Sequence, residues 1–123
     1  MLVCDYVDGA WQKPVIEPYA PFMIDPSAKV FHYGQAIFEG MKAYKDQQDD
    51  VWLFRPDENF RRFNKSATRM AMPEVPEDIF LGGLHRLLEI EKEWVKKGKG
   101  NTLYIRPFMI ATGHGVIAAP SQE

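Results

Sequence analysis

The spacing of apolar residues changes along this chain, and that change restricts the possible folds more than any other feature of the sequence. Residues 40–45 alternate between apolar and polar side chains, residues 46–50 have a turn-like composition, and residues 51–55 are mainly apolar, which together predicts an antiparallel hairpin. Residues 102–111 alternate as well and predict a last strand. Pro107 lies within it and has no N–H to donate, so we expect a free edge or a bulge there.

Two other segments repeat their apolar residues at the spacing of an α-helix. The first begins at Pro56 and is stopped by Pro73, and the second begins near Pro76 and ends before Gly98. The residues predicted to form the buried stripes of the two helices are Phe60, Phe63, Ala67, Met70, Phe80, Leu84, Leu87, Leu88 and Trp94. The pattern therefore predicts an α+β fold, a small domain with an antiparallel sheet and two main helices packed on it.

Turn-forming residues organise the first forty positions. Asp-Gly at residues 8–9, between two short apolar segments, predicts a two-residue hairpin. Four prolines within residues 14–26 predict a stretch that is mostly loop with short extended pieces. The aromatic and polar residues within 31–39 are predicted to be core packing beside a tight turn. Gly34 and Gly40 indicate special backbone angles or the close approach of another group.

The composition argues against several classes of protein. Apolar residues make up 46% and charged residues 26% of the 123 residues, which is typical of a soluble globular domain. The net charge is -2 and there is no basic stripe, so we expect no nucleic-acid partner. The sequence shows no signal peptide and no run long enough to cross a membrane, and Cys4 alone cannot form an internal disulfide, so we expect a cytoplasmic protein. The three histidines are far apart in sequence, and no metal site is predicted.

Two arginines are candidate binding residues. Arg55 ends a predicted strand just before a helix N-terminus, where a cation is favourable only if an anion such as phosphate lies beside it. An ion pair with Asp57 or Glu58 is the alternative, and the spacing alone favours that alternative. Arg106 shares a strand face with Tyr104, and a guanidinium beside a hydroxyl suits a substrate carboxylate. A structural ion pair with an acidic neighbour explains the position of Arg106 equally well.

Four motifs, taken together, resemble the sequences of branched-chain amino-acid aminotransferases. They are IDPSAK at 24–29, FHYGQAIFEGMKAY at 31–44, LFRPDEN at 53–59 and LYIRP at 103–107, and they occur in the family's order. The resemblance is clearest from residue 19 to residue 112. It implies that residues 1–123 are the N-terminal small domain of a two-domain, fold type IV enzyme that uses pyridoxal 5'-phosphate.

The resemblance also implies a role for individual residues. Arg55 resembles the arginine that binds the cofactor phosphate. Arg106 resembles the arginine that receives the side-chain carboxylate of glutamate or 2-oxoglutarate. The residues that resemble the lining of the substrate pocket are Tyr33, Phe38, Gly40 and Tyr104. The expectation that follows is that the two guanidinium groups face one shared cleft.

Other parts of the implied enzyme are expected beyond Glu123. In this family the catalytic lysine belongs to the C-terminal domain, and no lysine of this chain matches its position. We therefore expect the 123 residues alone to be inactive and to bind no cofactor. The full-length protein is expected to be a homodimer that moves the amino group between leucine, isoleucine or valine and 2-oxoglutarate.

Two alternatives remain open at the level of sequence. D-amino-acid aminotransferases and aminodeoxychorismate lyases share the same architecture, although the combination of the second and fourth motifs favours the branched-chain enzyme. A free-standing, non-catalytic binding or oligomerisation domain would follow if the reading frame ended at Glu123.

Overall fold

The computed structural model describes residues 1–119 and 121. Within these residues the strands are β1 (Leu2–Val3), β2 (Tyr6–Val7), β3 (Ala10–Trp11), β4 (Val15–Ile16), β5 (Ala36–Phe38), β6 (Met41–Lys45), β7 (Val51–Leu53), β8 (Leu103–Ile105) and β9 (Phe108–Ile110). The α-helices are α1 (Lys29–Tyr33), α2 (Pro56–Arg69) and α3 (Gly83–Glu91). A π-helical segment (Asp78–Gly82) precedes α3, and a 3-10 turn (Lys92–Trp94) follows it.

Two antiparallel ladders carry the candidate site. Strand β6 lies between β7 and β8, and β5 pairs with β9. Met41 pairs with Ile105 in the first ladder, and Phe38 pairs with Phe108 in the second. Both paired segments, 38–41 and 105–108, advance by three residues between these two pairs. The register is therefore the same in both ladders.

The interval between the two ladders results from a missing hydrogen-bond donor. The N–H of Glu39 donates to the carbonyl of Pro107 at 2.9 Å, but Pro107 has no N–H to donate in return. The prediction of one strand over residues 102–111 is therefore wrong, since regular pairing stops at residues 106–107. The unchanged register shows that there is no bulge at this position. The alternative expectation of a free edge is met, because β8 and β9 each pair with a strand on one side only in the described residues.

Helices α2 and α3 cover one face of this sheet and form the core with it. Phe63 and Ala67 of α2 lie in one buried cluster with Phe80, Leu84 and inward-facing residues of β5 and β6. The ring centroids of Phe63 and Phe80 are 5.2 Å apart. Burial of a large apolar side chain such as Phe63 or Leu84 stabilises the fold by about 1.5–3 kcal/mol. The predicted α+β class is confirmed. No helix in the described part of the chain has the length and apolar character needed to cross a bilayer.

Two residues predicted to be buried in the helical stripes are exposed instead. The exposed fraction is 36% for Met70 and 67% for Trp94, whereas that of Val95 is only 1%. Helix α2 ends at Arg69, so Met70 is already outside the regular turns. Beyond Glu91 the tighter 3-10 turn changes the direction of successive side chains, and Val95 takes the inward position that helical spacing assigned to Trp94.

The segment predicted to be core packing beside a turn is partly a helix, and its aromatic residues face outward. Phe31 lies in α1 and is 61% exposed, and Phe38 in β5 is 66% exposed. Ile37 and Glu39 are buried instead, because alternate residues of the strand face the helices. The special backbone angle expected at Gly34 is confirmed, since its φ of 60° ends α1 in the left-handed region.

The N-terminal hairpin has the predicted turn. Asp8 and Gly9 have φ values of 52° and 79°, which is the two-residue turn that joins β2 to β3. Strand β1 pairs with β4, and β4 is one of the short extended pieces expected among the prolines of residues 14–26. Leu2 of β1 packs so closely on Gly83 of α3 that a side chain at position 83 would collide with it.

Candidate functional site

Four of the predicted substrate-binding residues lie on the sheet face that the helices leave open. They are Phe38, Gly40, Tyr104 and Arg106. The shared register places all four on the same face, because it sets Gly40 opposite Arg106 and Lys42 opposite Tyr104. Phe38 and Tyr104 are 66% and 52% exposed. Alternate residues of these strands are buried against the helices, and the residues between them, including Phe38, Tyr104 and Arg106, face the opposite, open surface.

Arg106 is held by two aromatic neighbours on this face. Its Nη2 donates to the hydroxyl of Tyr104 at 2.6 Å, and its guanidinium carbon lies 4.5 Å above the ring centroid of Phe38. The Tyr104 ring centroid is 5.3 Å from the same carbon. Cation–π contacts of this kind contribute about 0.5–1 kcal/mol at exposed sites. The result is an oriented cation next to an exposed apolar surface.

The backbone of Gly40 lies against Tyr104 of this group. A Cβ atom at position 40 would overlap the hydroxyl of Tyr104. Glycine is therefore required for Tyr104 to stand where it accepts the Arg106 bond. This confirms the close approach expected at Gly40, and the approaching group is Tyr104.

Glu39 forms a polar cluster on the opposite, helix-covered face. Its carboxylate accepts two hydrogen bonds from Arg62, at 2.6 and 2.7 Å, one from Asn59 at 2.9 Å and one from the N–H of Gly40 at 3.1 Å. The bonds from Arg62, more than any other influence, lower the pKa of Glu39 from 4.5 to about 2. No motif of the sequence indicated this cluster. The signal was the acidic residue at an inward position of an alternating segment.

Arg55 lies at the start of α2. Its backbone is left-handed, with a φ of 48°, and its side chain is 65% exposed. The guanidinium is 3.4 Å from Glu58, the ion pair that the sequence offered as the alternative. Glu58 bonds more closely to Arg61, at 2.6 Å, so the contact with Arg55 is the weaker of the two. Pro56 has no N–H and the N–H of Glu58 donates to the carbonyl of Arg55 at 3.0 Å, so the feature of this helix start that suits a phosphate is the exposed guanidinium at the positive end of the helix dipole.

The structure does not bring every predicted residue together. Arg55 contacts Glu58, while Arg106 contacts Tyr104 and Phe38, so a cleft shared by both arginines stays a prediction. The hydroxyl of Tyr33, which lies in α1, donates to the carbonyl of Val116 at 2.5 Å. Its role in the substrate pocket also stays a prediction.

A groove that the sequence did not predict opens between β5 and α2. Its volume is about 800 Å³. Ala36 and Phe38 line one side, and Arg62, Lys65 and Arg69 line the other. Phe38 therefore contributes both to this groove and to the open face that carries Arg106.

Comparison with known proteins places the sequence in a family. No protein-family model matches the chain. Over 113 residues, 91% of the chain, it is 56% identical to branched-chain-amino-acid transaminase 1 of Bacillus subtilis (strain 168). It is 52% identical over its whole length to a probable branched-chain-amino-acid aminotransferase of Staphylococcus epidermidis. This sequence belongs to the branched-chain aminotransferase family.

The branched-chain aminotransferase relatives are longer than this chain. The chain spans about a third of their length, 32% of the Bacillus protein and 34% of the Staphylococcus protein. Its fold is similar to the crystal structure of a branched-chain amino acid aminotransferase from Escherichia coli, with a TM-score of 0.55 and 26% identity. That similarity covers 80% of this chain and 30% of the other.

Proposed function

We propose that this chain is the small domain of a transaminase that moves an amino group between leucine, isoleucine or valine and 2-oxoglutarate. The observation that carries the proposal is the group on the open sheet face, where Arg106 is oriented by Tyr104 and Phe38. The names of relatives that are about half identical in sequence support the same reaction.

The geometry of this group suits two kinds of substrate in one pocket. The exposed rings of Phe38 and Tyr104 offer apolar surface to a branched aliphatic side chain. The guanidinium of Arg106 offers a charge-assisted hydrogen bond to the side-chain carboxylate of glutamate or 2-oxoglutarate. A transaminase with these substrates has to accept both kinds of side chain in turn.

Pyridoxal 5'-phosphate is the cofactor that such a reaction requires, and it supplies an electron sink when bound. Arg55 is the residue of this chain that would hold its phosphate, because the exposed guanidinium and the N-terminus of α2 both attract anions. The long contact with Glu58 leaves the guanidinium available for a new partner.

The catalytic lysine is proposed to belong to a C-terminal domain outside these 123 residues. The coverage of about a third of each relative supports this division. Residues 1–123 alone are then expected to show no transaminase activity. The full-length enzyme is proposed to be a homodimer.

Substrate profiling of the full-length protein tests the proposal. Purified protein reconstituted with pyridoxal phosphate is assayed with leucine, isoleucine, valine, glutamate and D-alanine as donors. We expect turnover with the branched-chain amino acids and glutamate, and no turnover with the 123-residue chain. A preference for D-alanine, or release of pyruvate from aminodeoxychorismate, would overturn the proposed reaction.

A further inference from the structure

The backbone N–H and carbonyl of Gly40 have no partner in a neighbouring strand. Hydrogen bonding alternates along an antiparallel strand, so Glu39, which bonds to Pro107, faces β9, and Gly40 faces the side of β7. Strand β7, however, ends at Leu53 and the chain turns into α2 at Pro56. No strand residue is therefore opposite the polar backbone groups of Gly40.

Side chains take the place of the missing strand. The Nδ2 of Asn59, in the first turns of α2, donates to the carbonyl of Gly40 at 3.3 Å and to the Glu39 carboxylate at 2.9 Å. The N–H of Gly40 donates to the same carboxylate at 3.1 Å. The Glu39 carboxylate and Asn59 thus bond both backbone polar groups of Gly40.

Arg62 fixes the carboxylate on which this arrangement depends. It reaches Glu39 with Nε at 2.6 Å and Nη2 at 2.7 Å, a bidentate geometry that sets the orientation of the carboxylate as well as its position. Asn59 and Arg62 both belong to α2, so one rigid helix holds the junction between β5 and β6.

The effect reaches the open face through Gly40. The hydroxyl of Tyr104 occupies the space that a Cβ of residue 40 would need, and the same hydroxyl accepts the Arg106 bond. A displacement of Gly40 therefore changes the space available to Tyr104 and, with it, the orientation of Arg106. Glu39 is buried on the far side of the sheet, so it acts on this group through Gly40, and Arg62 acts through the Glu39 carboxylate that it orients.

We propose that Glu39 and Arg62 are positioning residues for Arg106, and that they determine how well the site accepts acidic substrates. This inference rests on the proposed function for its substrate. It predicts that weakening the Glu39–Arg62 ion pair impairs activity with glutamate and 2-oxoglutarate more than activity with leucine. A role in folding alone would lower the activity with all substrates by the same factor.

Steady-state kinetics of the full-length enzyme test the inference. For Glu39→Gln we expect the KM for 2-oxoglutarate to rise about tenfold, with the KM for leucine changed less than about threefold. Arg62→Met is expected to act in the same direction, and Arg62→Lys, which keeps the charge and loses the bidentate geometry, to lie between it and the wild type. Equal changes for both substrates would overturn the inference.

A second measurement does not depend on turnover. Phenylglyoxal modification of Arg106, followed by peptide mass spectrometry of the full-length protein, reports on the freedom of the guanidinium. We expect Glu39→Gln to increase the rate several-fold, and a rate equal to that of the wild type would overturn the inference.

The matched control is Glu89→Gln, which removes a carboxylate bonded to Arg86 at 2.8 Å on the exposed side of α3. It should alter neither the KM ratio nor the modification rate, and a change equal to that of Glu39→Gln would also overturn the inference. Wild-type protein with no transaminase activity would instead refute the proposed function, and the modification rates would still decide the positioning role.

Discussion

Replacement of Glu39 by Gln should make the stability of the fold less dependent on pH. In the wild type the carboxylate is bonded by Arg62, Asn59 and the N–H of Gly40, and its pKa falls from 4.5 to about 2. A group whose pKa is lower in the folded state stabilises that state above the unfolded pKa, and the stabilisation is lost as the pH falls through the folded value. The window for Glu39 therefore lies between about pH 5 and about pH 2.

The free energy that Glu39 contributes follows from the shift of its pKa and from the solvent exposure of Arg62. At about 1.36 kcal/mol per pKa unit, a change from 4.5 to about 2 corresponds to at most about 3 kcal/mol. The side chain of Glu39 is only 8% exposed, but that of Arg62 is 64% exposed. Solvent screens the charge of Arg62, so we expect a contribution of about 1–2 kcal/mol at neutral pH.

Urea unfolding of both proteins, followed by tryptophan fluorescence, measures this contribution. At about pH 7 the wild type should be more stable than Glu39→Gln by about 1–2 kcal/mol, and most of the difference should be gone at about pH 3. Glu89→Gln, in an exposed pair, should change stability by less than about 0.5 kcal/mol at either pH. A difference that is the same at both values would refute the reasoning, because it would not come from ionisation of Glu39.

Three further predictions concern other parts of the chain. In the full-length enzyme, Arg106→Met should reduce turnover of glutamate and 2-oxoglutarate by the equivalent of about 1.5–3 kcal/mol, with leucine binding little changed; equal losses in kcat/KM would contradict the assigned role. Arg55→Ala should weaken cofactor retention, measured as pyridoxal phosphate remaining after dialysis, and an unchanged amount would argue against phosphate binding. Val95→Ala should lower the free energy of unfolding by about 2 kcal/mol, while Trp94→Ala should lower it by less than about 0.5 kcal/mol; thermal or urea unfolding would reveal the reverse order if Trp94 were the buried residue.

Patterns confined to neighbouring residues predicted the fold class and the elements that depend on them. The alternation over residues 41–45 is confirmed because one face of β6 is buried and the other is exposed. Helix α2 begins at Pro56, as predicted, and the Asp8-Gly9 turn has the expected positive φ values. The alternation of β6 can be seen within one strand, and the start of α2 and the turn are decided by interactions within a few positions along the chain.

Features that depend on distant contacts escaped the sequence analysis. Helical spacing could not show that the 3-10 turn would bring Val95 inward in place of Trp94. The aromatic residue Phe38 was predicted to be in the core, but the side of β5 that α2 covers is the side of Glu39. Which face a neighbouring helix covers is not encoded in the strand's own alternation.

The sequence by itself determined the α+β class, the branched-chain aminotransferase resemblance and the candidate arginines, because those depend on residue type, spacing and order. The tertiary structure alone decided that Arg106 lies over Phe38 and bonds to Tyr104, and that Gly40 is held from behind by Glu39 and residues of α2. The physical reason is that strand pairing and helix packing bring residues from β5, α2 and β8 within hydrogen-bonding distance. A pattern read along one segment contains no information about which distant side chain will complete its hydrogen bonds.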